Sequence, residues 1–174
     1  MTPRFELREF FGGLAEFVFE GRLGVADPPL VDYVAEMLTR FVRFDAIYRV
    51  RTTTGQRLEE IGRMLAEADQ RVGDARREVH RHIGDFTLFW TGVYPEALRR
   101  AAVQDRFHDY CSQGKRAYLI ASTIRSSDDD PESSLFARMS HDYDLCVYGL
   151  SEVRKEWERR DDDGAGSSGP ILIS

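Results

Sequence analysis

The chain has 174 residues, 42% of them hydrophobic and 31% charged, with a formal net charge of -6. That balance excludes a disordered polymer, and it argues against a nucleic-acid-binding surface, which needs clustered cations. Two cysteines, Cys111 and Cys146, are too few for a disulfide scaffold and match neither zinc nor CxxC spacing, so both are expected in the core.

Three prolines follow good N-cap residues, at Thr2-Pro3, Asp27-Pro28 and Asp130-Pro131. An acceptor side chain satisfies an orphan N–H at a helix start, and proline fits the first helical position. The first helix is predicted over residues 3–20. Leu7, Phe10, Phe11, Leu14, Phe17 and Val18 form its apolar stripe. Gly12 and Gly13 weaken it by ~1 kcal/mol each, which predicts a closely approaching neighbour there. The second helix carries Leu30, Val34, Met37, Leu38, Phe41 and Tyr48 and is predicted to end before the loop at 52–55.

Leu58, Ile61, Leu65, Ala68 and Val72 mark a third helix, supported by Glu59–Arg63 and Glu67–Arg71 pairs. Gly73-Asp74 predicts a stop followed by an N-cap, with an unbroken helix as the alternative. The fourth helix carries Val79, Ile83, Phe86, Trp90 and Val93 and breaks at Tyr94-Pro95. Within it, Arg76, Arg77, His80, Arg81 and His82 are interrupted by Glu78, which predicts a solvated face.

A fifth region starts at Pro95 and has its main part over 104–124, with Phe107, Tyr110, Cys111, Gly114, Tyr118 and Ala121 on one side. The last helix is predicted over 131–159, aligning Leu135, Met139, Tyr143, Cys146, Leu150, Val153 and Trp157. Leu145 and Tyr148 fall on its opposite side. A helix apolar on two sides is either central or shared with a second subunit; the central position is the expectation and a homodimer the alternative.

No segment alternates like a strand, so the fold class is all-α: a bundle of about six helices in one domain, residues 1–160. Residues 161–174 read as an acidic and Gly/Ser-rich linker ending in an apolar tip, Ile171, Leu172 and Ile173, a candidate docking tail. No run approaches the ~20 apolar residues of a membrane span. The N-terminal residues lack the basic-then-apolar pattern of a leader, so a cytoplasmic location is the expectation.

The chain contains no Walker loop, GxGxxG, GxSxG, HExxH or paired CxxC motif. The best constellation lies on the fourth helix. His82 falls inside the apolar stripe with Glu78 at i−4 and Asp85 at i+3, a spacing that suits an acid/base pair or a ligand cluster. Trp90, Tyr110, Tyr118, Tyr143 and Tyr148 are candidates to line a pocket between helices. A three-histidine metal site would need His82, His108 and His141 to converge; no metal site and no cofactor is assigned.

The leading expectation is a non-enzymatic helical module that binds a protein partner or itself, with the C-terminal tip as a second contact. One alternative is a small-molecule- or metal-binding bundle enzyme centred on His82, Glu78 and Asp85. Another is a cargo or scaffold protein addressed by its tail. Neither nucleic-acid binding nor a membrane span is expected.

Overall fold

A computed structural model describes residues 3–42, 60–99, 106–125 and 130–164, and these form eight α-helices and no strand among the described residues. The helices are α1 (Pro3–Ala15), α2 (Pro28–Phe41), α3 (Ile61–Asp69), α4 (Gly73–Val93), α5 (Pro95–Arg99), α6 (Arg106–Thr123), α7 (Pro131–His141) and α8 (Tyr143–Asp163). The expected all-α class holds.

Eight helices replace six because two predicted segments are each divided. The fifth region splits into α5 and α6. The last breaks at Asp142, whose backbone (φ −96°, ψ 21°) leaves the helical basin while its N–H still bonds Arg138 and its carbonyl still accepts from Cys146. The chain therefore breaks there while Asp142 keeps a backbone bond to each helix. At the far end α8 continues through Asp163, into the predicted linker, and Gly164 caps it. The tip residues Ile171, Leu172 and Ile173 lie outside the described residues, as do Thr2, Tyr48, Leu58 and Glu59.

The two aspartate N-caps form as expected and also receive arginines. Asp27 accepts the Leu30 N–H at 3.3 Å and the Arg138 side chain at 2.6 and 3.2 Å. Asp130 accepts from the Glu132 and Ser133 N–H groups and pairs with Arg77 at 2.7 Å. Each cap thus satisfies a helix start and also ties α7 to another part of the bundle, Asp27 through the start of α2 and Asp130 through α4.

α1 runs into a π-helical stretch, Glu16–Arg22, in which Leu23 N–H reaches back five residues to Val18 at 3.0 Å. The wider turn rotates the register. Phe19 takes the inward position and Phe17, expected in the stripe, is turned outward beneath the guanidinium groups of Arg22 and Arg160 at 4.9 and 5.2 Å. The close approach expected at Gly12 and Gly13 does not occur among the described residues: there a methyl group at Gly13 would meet nothing within 4 Å, and one at Gly12 only the end of Arg8. Val72, expected in the α3 stripe, lies exposed in the turn before α4, and α4 begins at Gly73 (φ +57°) with no side-chain cap.

α4 is the central helix, with fourteen of its twenty-one residues buried. The expectation that the last helix is central is corrected. α8 turns Tyr143, Cys146, Leu150, Val153 and Trp157 inward, while Leu145 (37% exposed) and Tyr148 (54%) face outward. Neighbour pairs fix the directions. Gly84 meets Tyr118 and Thr87 meets Gly114, so α6 runs antiparallel to α4; Thr87 meets Tyr143 and Gly92 meets Leu150, so α8 runs parallel to it. A methyl group at Gly114 would lie 2.3 Å from the Thr87 hydroxyl and 2.4 Å from that of Tyr143, so only glycine allows this approach. Cys111 and Cys146 are both buried free thiols, and burial pushes Cys146 up to about 12.

The predicted solvated face at the start of α4 is also corrected. Arg77 and His80 are buried, because α4 is covered on several sides, and His82 is buried as its place in the apolar stripe predicts. No described helix is long and apolar enough to cross a membrane.

Candidate functional site

Asp85 sits in the middle of α4 with no exposed surface, and its carboxylate joins three helices. The hydroxyls of Tyr33 (α2) and Tyr118 (α6) both donate to Oδ1, at 2.6 and 2.7 Å. Arg40, also on α2, donates from Nη2 to Oδ2 at 2.9 Å. Arg81, one turn before Asp85, places Nε 4.0 Å from Oδ2 and donates it to the Tyr33 hydroxyl at 3.1 Å. An isolated buried carboxylate is prohibitively expensive, so this convergence is what allows Asp85 to occupy the core as an anion.

Local spacing explains how the partners arrive. Tyr33 and Arg40 are seven residues apart on α2, hence on one face, and Arg81 and Asp85 are an i,i+4 pair. On α6, Tyr118 reaches Asp85 because Gly84 leaves room: a methyl group there would come within 2.6 Å of the Tyr118 ring. Both guanidinium groups also lie over the Tyr33 ring, Arg40 at 6.0 Å and Arg81 at 5.5 Å.

The electrostatics fix the protons. Burial, followed by the charge of Asp85, holds the hydroxyls of Tyr33 and Tyr118 well above the ordinary tyrosine range, so both remain donors. Burial opposes the charge on Arg40 and Arg81. The neighbouring Asp85 and Tyr33 outweigh it, and both guanidinium groups are held above their usual value. The cluster is a set of fixed donors around one carboxylate, with a minor opening to solvent on the arginine side: the Arg40 and Arg81 side chains are 16% and 21% exposed.

Of the three residues singled out on this helix, Asp85 is the hub. His82 is buried on a neighbouring face, stacked on Phe41 (5.9 Å, 23°) and tilted against Phe86. Glu78 lies at the surface, 3.4 Å from Arg81. Among the pocket candidates Tyr118 belongs to the hub. Tyr143 is buried beside it, its ring 6.2 Å from Tyr118 and its hydroxyl bonded to Thr87 at 3.0 Å. Trp90 and Tyr110 flank Phe86 further along α4, and Tyr148 faces solvent.

His108 and His141 are both exposed, so the structure does not gather them with His82. Among the described residues no group of three or more His, Cys, Asp or Glu is placed to hold a metal ion. Sequence reasoning missed Tyr33, Arg40 and Arg81. The i,i+4 spacing of Arg81 and Asp85 was the available signal; the α2 residues carried none, because their link to α4 spans more than forty positions.

Comparison with known protein families, with curated proteins and with solved structures finds no match to this chain.

Proposed function

We propose that the protein is a helical bundle that binds a small molecule at the Asp85 hub between α2, α4 and α6, acting as a receptor and not as an acid–base catalyst. The supporting observation is the convergence of Tyr33, Tyr118, Arg40 and Arg81 on one fully buried carboxylate, with the arginines partly open to solvent. Bundles place ligand sites between helices, with a few polar groups set among aromatics. The proton affinities favour binding over proton transfer, since the tyrosines keep their protons and the arginines their charge near neutrality.

The test is thermal unfolding against a mixed library of small metabolites, using wild type and Tyr33→Phe. A true ligand at a hundred times its Kd stabilises by about 2.7 kcal/mol, which for this chain length raises Tm by roughly 5–10 °C. That rise should shrink in Tyr33→Phe. A library in which no compound gives a Tyr33-dependent rise would remove the proposal.

A second reading, a protein-interaction module, draws on the outward Leu145 and Tyr148 of α8. Two side chains supply little of the roughly 20–30 residues a side that a standard interface uses, so such a contact would be weak and transient. Light scattering of wild type and Tyr148→Ala at high concentration tests it, and a strict monomer in both counts against it.

A further inference from the structure

The hub carries more positive charge than its buried carboxylate balances, and its donors are not all used. Arg40 spends only Nη2 on Asp85. Its Nε is buried and, like that of Arg76, has no acceptor among the described residues. Arg81 spends Nε on Tyr33 and Nη1 on Glu78. The Glu78 contact is long, 3.4 Å, and its side chain is 57% exposed, so the anion nearest to Arg81 on the solvent side is loosely held. Tyr33 lies under both guanidinium groups and limits how they turn.

Planar guanidinium forks select oxyanions, which can take two parallel hydrogen bonds from each fork. We propose that Arg40 and Arg81 form an oxyanion subsite at the solvent edge of the Asp85 hub. It takes the carboxylate or phosphate group of a small ligand, and Glu78 occupies the anion's place on Arg81 until the ligand displaces it. Asp85 and the tyrosines set the direction of the forks; the ligand neutralises the surplus charge. This rests on the small-molecule reading above and specifies the ligand's chemistry.

The experiment is NMR of the arginine Nε–Hε groups in the intact protein, titrated with inorganic phosphate and, separately, with acetate, against chloride at matched ionic strength. One or both anions should shift Arg40 and Arg81 saturably at concentrations of order 10 mM, enough to reveal a millimolar Kd. Whichever anion binds more tightly identifies the group. Glu78→Gln removes the exposed competitor without touching the core, and should tighten binding about two- to five-fold, the range of an exposed ion pair. Arg81→Lys keeps the charge but removes the fork, and should weaken binding roughly ten-fold or more.

Absence of a saturable shift with both anions overturns the proposal. So does an affinity unchanged by Glu78→Gln, or shifts centred on Arg22 and Arg160 instead. The two proposals fail separately: an uncharged compound that stabilises through Tyr33, with phosphate and acetate inert, sinks the oxyanion subsite and leaves the small-molecule site standing.

Discussion

Asp85→Asn keeps the shape of the hub side chain and removes its charge. The asparagine oxygen can still accept from Tyr33 and Tyr118, at 2.6 and 2.7 Å in the native protein, but its NH2 now faces Arg40 Nη2, donor against donor, across 2.9 Å. Two guanidinium groups, 16% and 21% exposed, lose their buried countercharge. Breaking a buried pair by removing one partner costs about 3–5 kcal/mol, which for a chain of this length lowers Tm by roughly 6–20 °C. Urea unfolding with an unchanged slope measures it. Tyr118→Phe deletes one charge-assisted bond and should cost about 1.5–3 kcal/mol. Because both changes act on one carboxylate, the double variant should lose less than the sum, with a coupling of about 0.5–3 kcal/mol. An Asp85→Asn loss below about 1 kcal/mol, the scale of an exposed pair, would refute the account of the hub as the electrostatic centre of the core.

Two further perturbations probe the surroundings. Gly114→Ala places a methyl group 2.3–2.4 Å from the Thr87 and Tyr143 hydroxyls, so overpacking of about 1–3 kcal/mol should exceed the ~1 kcal/mol gain in helix propensity, read as a net fall in urea midpoint. His80 is buried with neither ring nitrogen partnered among the described residues; burial first, then Arg76 on its own helix and Arg116 on α6, lowers its pKa, against an opposing pull from Asp69 at the end of α3. The unfolded chain therefore binds a proton more readily than the folded one, and stability falls as pH drops below about 6.5 toward the lowered folded value. Urea midpoints at pH 7.5 and 5.0 should differ less in His80→Leu than in wild type; equal differences would place the acid sensitivity elsewhere.

Helix starts at Asp27 and Asp130 were legible because capping chemistry and proline geometry act over three or four residues, and the caps form where those signals fall. Burial of the α4 stripe was legible for the same reason. The π-helical stretch was not: an apolar wheel assumes 3.6 residues per turn, and the wider turn at Glu16–Arg22 places Phe19 inside where the wheel placed Phe17. The fate of Arg77 and His80 was hidden too. A run of basic residues reads as solvated only while one side of a helix is free, and α4 is covered on several.

The hub was half legible for a reason that bears on its role. Asp85 entered the reading only as a neighbour of His82, the polar residue inside the apolar stripe, with Glu78 on the other side, and Arg81, four residues before Asp85, was passed over. The partners that complete it come from α2 and α6, where Tyr33 and Tyr118 look like ordinary aromatic core positions and Arg40 like the end of a helix. Two tyrosines hold the carboxylate in place without cancelling its charge, and two arginines more than cancel it. A contact needed only to lock three helices together would reach neutrality with one arginine. The second arginine and its link to an exposed glutamate exceed what packing requires, and an incoming anion would use both.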